Sequence, residues 1–267
     1  MDLEIAGRTA LVTGASSGIG RGIARALAAE GARTIITARR EDLLRELARE
    51  ITEAGGPESV VMPQDILAED AARLIADRAG HVEILVNNAG GSRPFGRDAT
   101  EAEWDEAITL NFTRHRQLTK RLLGPMIDAG WGRVINITGR SEPDGVNGGH
   151  IAKAAMHAWA KGLSREVGQY GVTVNSIPPG KIMSEQIELS DELTRRYRAQ
   201  IPVGEAGQPS DIASLVCFLA SPLARYITGA VIPVDGGLRR YQFLPAGKHQ
   251  RNLLGTGGTR VVKLVLL

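Results

Sequence analysis

The sequence predicts an α/β fold of Rossmann type: a doubly wound parallel sheet of about seven strands with helices on both faces. Three observations predict it. Short apolar, β-branched runs recur along the chain. Those runs are apolar on both parities, the mark of strands buried on both faces. Helical patterns lie between them, so strand and helix alternate over most of the 267 residues, as parallel strands joined by helical crossovers require.

The strand candidates, in order, are TALVT (9–13), TIIT (34–37), SVVM (59–62), EILVN (83–87), RVINIT (133–138), VTVNSI (172–177) and AVIPV (230–234). Between the second and third, EDLLRELAREI places Leu43, Leu44, Leu47 and Ile51 on one helical face and its charges on the other. Gly31 and Gly55 follow helical segments where C-caps are expected. A further helix opens in NGGHIAKAAM (147–156). No linker-like stretch or internal repeat precedes residue 240, so residues 1–240 are read as a single domain. The tail 241–267 breaks the rhythm with a Gly-rich joint and an apolar run. It is either an extension or an arm that docks on a neighbouring subunit.

Composition narrows the classes. The chain is 43% hydrophobic and 23% charged, ample for one large core. Its one cysteine, Cys217, lies in the apolar run ASLVCFLA and reads as a buried small hydrophobe, so a reducing compartment is expected. The start is acidic and lacks a basic n-region, and no apolar run approaches a membrane span, so a cytoplasmic protein without membrane partners is expected. Six of the 32 basic residues follow Asp235 with no acidic residue among them; without those six, the body has fewer basic than its 30 acidic residues. The basic balance belongs to the tail, and no nucleic-acid partner is expected. No Cys/His cluster has metal-ligand spacing, and no metal site is predicted.

The stretch TGASSGIG (13–20) follows the first strand and opens the first helix. Gly14 permits the tight turn, with Ser16, Ser17 and Ile19 in the loop. Gly18 and Gly20 let backbone and helix approach a pyrophosphate at the positive helix N-terminus. At strand 1 of an alternating α/β chain this predicts a dinucleotide site. The second strand runs into ITARRED, where NAD sites usually carry an acid for the ribose hydroxyls. Arg39 and Arg40 stand there instead. A guanidinium suits a phosphate monoester, which predicts NADP; a solvated basic turn is the alternative.

These residues, together with QDI (64–66), NNAG (87–90), LNFT (110–113), AKAA (152–155), VNSIPPG (174–180) and ITGAVIPVDGG (227–237), resemble the short-chain dehydrogenase/reductase family over about residues 5–237. The segment 152–180 is similar to the branch holding 3-oxoacyl-carrier-protein reductases. The resemblance implies that Asp65 and Ile66 flank the adenine and that Asn88, Ala89 and Gly90 line the cofactor cleft. It implies that Asn111 holds a relay water and Lys153 bonds the nicotinamide ribose. Pro179, Gly180, Ile182 and Ser184 would contact the nicotinamide, and residues 181–204 would form a substrate lid. A homotetramer is implied, with the helix carrying Lys153 paired across a two-fold axis and AVIPV at a second contact.

The pattern departs from the family at one place. The family uses a tyrosine four residues before the lysine, and here that position is Gly149; no tyrosine occurs between residues 132 and 169. The serine position falls on Thr138 or Gly139, with Ser141 further on, and the interval to Lys153 is short by a few residues. Reducing a ketone needs a proton donor and fixed hydrogen-bond donors at the oxygen. His150, three residues before Lys153, is an imidazole acidic enough to serve; the alternative is a passive helix residue. Arg140 and Ser141 suit either a polar substrate or a solvated loop. Lys181 suits either a substrate anion or a lid hinge. His157, Trp159 and Trp131 read as packing or interface residues. The leading expectation is an NADPH-dependent reductase of a ketone or 3-oxoacyl thioester with a non-standard proton donor. A catalytically silent NADP-binding protein and a reductase of an activated C=C bond are the alternatives.

Overall fold

The computed structural model describes residues 2–93, 95–139, 145–183 and 190–238. Among these residues, six parallel strands form the sheet: β1 (Thr9–Thr13), β2 (Arg33–Ala38), β3 (Val60–Pro63), β4 (Ile84–Asn87), β5 (Gly132–Ile137) and β6 (Val172–Ile177). They lie in the order β3-β2-β1-β4-β5-β6. Among the described residues the α-helices are α1 (Gly18–Ala29), α2 (Glu41–Glu53), α3 (Ala71–Ala79), α4 (Glu101–Ile108), α5 (Arg114–Asp128), α6 (Gly148–Val167), α7 (Asp191–Gln200) and α8 (Pro209–Ala220). A π-helical turn, Thr109–Thr113, joins α4 to α5.

The alternation of side chains along each strand divides the core. Val12, Ile36, Val86 and Ile135 pack with Ile23 and Leu27 of α1 and Ile212 and Val216 of α8. Leu11, Ile35, Leu85 and Val134 face the other way, onto Leu118 and Leu122 of α5 and Ala160 of α6. Both faces are therefore covered, as a parallel sheet requires. Leu44, Leu47 and Ile51 are buried as the periodicity predicts, and Gly31 and Gly55 take positive φ just beyond α1 and α2. Cys217 is buried, which pushes its thiol up to about 12.

The seventh strand is present only as an interrupted edge. Residues 230–234 run parallel to β6, with Ser176 N donating to Ala230 O at 2.9 Å and Ile232 N to Ser176 O at 2.9 Å. Pro178, Pro179 and Pro233 have no N–H to give, so the ladder breaks into isolated bridges. No helix among the described residues is long and apolar enough to cross a membrane. The tail 241–267 lies outside the described residues.

The strand order reverses between β1 and β4. In open α/β sheets ligands bind outside the carboxyl ends of the strands at such a point.

Candidate active site

The turn from β1 to α1 is locked to the end of β4. Asn88 Nδ2 donates to Thr13 O at 2.8 Å and Gly14 O at 3.2 Å, while Thr13 Oγ1 accepts from Asn88 N and Ala89 N at 2.9 and 3.0 Å. A Cβ on Gly20 would stand 2.3 Å from Gly14 O, so glycine is required where helix and turn meet. Asn88 thus braces the glycine turn and is not among the residues lining the cavity beside it.

That cavity, of about 250 Å³, is lined by Gly14, Ser16 and Ser17 from the glycine turn, Arg39 and Arg40 after β2, Asp65 and Ile66 after β3, and Ala89 and Gly90 after β4. Arg40 Nη2 donates to Ser16 Oγ at 3.0 Å and Ser17 Oγ at 2.8 Å, which fixes its guanidinium across the mouth of the glycine turn. Asp65 Oδ1 accepts from Leu67 N at 3.0 Å and shapes its own turn. The Thr37 hydroxyl, also in the wall, is buried and has no hydrogen-bond partner among the described residues. The motif reading did not single it out.

The NNAG segment is held by a polar ladder. Asn111, His115 and Thr119 recur every four residues along the π turn and α5. Asn111 Oδ1 accepts from Gly91 N at 3.0 Å, His115 Nε2 meets Ala89 O at 2.6 Å, and Thr119 Oγ1 accepts from Asn87 Nδ2 at 3.0 Å. Four helical residues rise about 6 Å, close to the roughly 6.6 Å of two extended residues, so the two spacings match. His115 is fully buried, and that burial, with the Lys153 cation nearby, lowers its pKa to about 4. It is therefore neutral and donates its Nε2 proton to Ala89 O. Of this ladder the sequence reading named Asn111; the regular spacing N-x3-H-x3-T was the available signal for the rest.

On α6, Asn147 caps the first turn, accepting from His150 N at 3.0 Å, and its amide donates to Ser92 Oγ at 2.9 Å. His150, Lys153 and His157 then share one face at i, i+3 and i+7. Lys153 Nζ donates to the carbonyls of Ile137 at 3.2 Å and Thr138 at 3.4 Å, at the end of β5. A Cβ built on Gly139 would lie 3.4 Å from Lys153 Cδ and 3.7 Å from His150 Cδ2. One built on Gly90 would lie 3.2 Å from Lys153 Nζ and 2.8 Å from Asn111 Oδ1. Lys153, Asn111 and His150 are therefore brought together around Gly90 and Gly139. Burial lowers the Lys153 pKa to about 8.

Other expected residues fall elsewhere. Thr138 turns its hydroxyl to His157, with Nε2 2.7 Å from Oγ1, so His157 is more than a packing residue. Gly180 N donates to Val234 O at 2.8 Å, and Pro179 and Ile182 form backbone bridges to Val234 and Gly207. These three shape the rim by their backbone and lie outside the cavity lining. Trp131 stacks beneath Arg8 and Arg133, and Trp159 packs edge-on against Phe112. Arg140, Ser141 and Ser184 lie outside the described residues, as does most of the segment between Met183 and α7.

Comparison with known proteins shows the family. The family model described as enoyl-(acyl carrier protein) reductase matches residues 14–239. A 3-oxoacyl-[acyl-carrier-protein] reductase of Aquifex aeolicus is 36% identical over 249 residues, covering 89% of this chain and all of its own length. The acetoacetyl-CoA reductase of Cupriavidus necator is 33% identical, covering 86% of this chain and 98% of its own. A crystal structure described as an NAD(P)-dependent gluconate 5-dehydrogenase from Beutenbergia cavernae, with NADP bound, superposes with a TM-score of 0.82 at 32% identity, covering 89% of this chain and 99% of that one. The chain belongs to the short-chain dehydrogenase/reductase family, oxidoreductases that use a nicotinamide cofactor and act on CH–OH and C=O groups.

Proposed function

We propose that the protein is an NADPH-dependent reductase of a ketone or 3-oxoacyl thioester in which His150 is the proton donor. The observation that carries this is the shared α6 face, on which Lys153 reaches Gly90, where Asn111 also approaches, while His150 stands beside Gly139. A passive helix would have no need of an ammonium desolvated against two strand-end carbonyls.

The residues present fit the cofactor. The glycine turn leaves no room for side chains, Arg40 is held ready between two serine hydroxyls, and Arg39 lines the same cavity. The pair suits a 2′-phosphate, which a guanidinium grips through charge-assisted bonds. When bound, the reduced nicotinamide supplies a hydride to the carbonyl carbon. Lys153 grips the ribose, and Asn111 keeps Gly91 and hence the cleft wall in place. His150 gives its proton to the carbonyl oxygen as negative charge grows there.

A second reading has one observation in its favour. The Thr138 hydroxyl lies 2.7 Å from His157 Nε2, and a hydroxyl that donates to this nitrogen has no proton left to polarise a carbonyl, as a catalytically silent NADP-binding protein would allow. NADPH oxidation against diketones, β-ketoesters and 3-oxoacyl thioesters, run beside a binding titration, separates the two. Binding with turnover supports the reductase, binding without turnover supports the silent protein, and no binding overturns both. Assembly as a homotetramer belongs to the same proposal. Ala155 and Ala158 are exposed on α6, and Val231 and Tyr226 are exposed at the edge beyond β6. A monomeric mass in solution contradicts it.

A further inference from the structure

We propose that His157 is a positioning residue that latches Thr138 and thereby holds the two carbonyls on which Lys153 rests. The inference builds on the reading of Lys153 as the group that grips the cofactor.

Thr138 is buried, and each of its polar groups is engaged. Its N–H donates to Ile177 O at 2.9 Å, its carbonyl accepts from Lys153 Nζ at 3.4 Å, and its hydroxyl lies 2.7 Å from His157 Nε2. Ile137 O, one residue earlier, takes the same ammonium at 3.2 Å. Sheet support is running out here. Pairing of β5 with β4 stops at Asn136 opposite Asn87, so Thr138 is held by backbone on the β6 side only, and Gly139 follows at once. A side-chain latch takes the place of the missing strand. It comes from α6, one turn beyond Lys153, so the helix that carries the ammonium also fixes its acceptors.

The cost of losing the latch falls on Lys153. An ammonium withdrawn from water must keep its hydrogen-bond partners, and carbonyls that turn away leave it uncompensated. The sequence offered little sign of this, because a histidine on a helix rich in alanine reads as packing.

The test uses His157→Leu, His157→Gln, Thr138→Val and the Leu/Val double variant of the full chain. NADPH Kd is read by titration and carbonyl KM by steady-state kinetics. Each single loss of the latch is expected to raise NADPH Kd about tenfold, leaving carbonyl KM unchanged, and the double variant is expected to be no worse than either single. The Gln amide still reaches the hydroxyl and is expected to stay within about threefold of the parent. A Gln variant as weak as Leu, effects that multiply in the double variant, or a lower Tm with Kd unmoved would each overturn the latch. If the parent binds no NADPH, the reductase reading fails separately. The same cycle is then read from urea unfolding of the cofactor-free protein, where shared losses keep the latch and additive losses reject it.

Discussion

The carbonyl oxygen of Gly91 stands 2.6 Å from the point where a Cβ on Gly149 would sit. Position 149 is the one at which the resemblance leads one to look for a tyrosine, and backbone from the neighbouring loop fills the space. The loop is tied in place: Gly148 N donates to Arg93 O at 3.1 Å, and Arg93 N donates to Asn147 Oδ1 at 3.4 Å. A Cβ on Gly148 would run into the ring of Phe95, which packs edge-on against Trp104. The two glycines are there because a loop and a helix meet at van der Waals distance.

Adding a side chain at this seat is therefore expected to destabilise the fold. Gly149→Ala forces the Gly91 backbone to shift, a crowding that costs about 1–3 kcal/mol. For a domain of this size that lowers Tm by about 2–10 °C. Gly149→Tyr is expected to be worse and to restore no activity. Thermal unfolding checks both, and an alanine variant that melts like the parent contradicts the seat.

Arg39 and Arg40 line the cavity, and Arg40 is anchored on Ser16 and Ser17. NADP(H) is expected to bind more tightly than NAD(H), by a margin that shrinks at high salt as the phosphate contact is screened. Arg39→Asp should reverse or abolish the preference. Equal affinity of the unaltered protein for both cofactors, measured by titration, contradicts the assignment.

His115 makes stability depend on pH in a defined direction. Burial holds its pKa at about 4, against about 6.5 in the unfolded chain, so the unfolded state binds the extra proton first as pH falls. Its contribution is complete above about pH 6.5 and is lost progressively down to about pH 4, a fall of about 3 kcal/mol across that window. Urea unfolding at several pH values checks this. His115→Leu should lower stability at neutral pH, through the lost bond to Ala89 O, and flatten the dependence. An unchanged slope contradicts it.

The parts of the site legible in the sequence are those whose spacing dictates local backbone. The turn 13–20, the pair Arg39–Arg40 and the strand-helix alternation fall in this class; the turn joins β1 to α1 and the arginine pair lies between β2 and α2. The parts that were not legible span distant segments. His157 meets Thr138 across 19 positions and His115 meets Ala89 across 26, contacts decided by how α6 and α5 lie on the sheet. The expected seventh strand was visible as an apolar run, but its weak pairing depends on prolines in two segments meeting each other. Gly149 read as a missing side chain, and no spacing in the sequence foretold that Gly91 O stands against it.

If His150 supplies the proton while Lys153 holds the cofactor, as proposed, the two should fail differently. Lys153→Met is expected to weaken NADPH binding and abolish turnover. In the parent, NADPH affinity should fall as pH rises through about 8, where the buried ammonium loses its charge. The most direct measurement is kcat and NADPH Kd of His150→Gln beside the parent, on the best carbonyl substrate found. The expected result is an unchanged Kd and a kcat lower by about 10²–10⁴, the usual worth of a positioned general acid. A variant that turns over like the parent contradicts it.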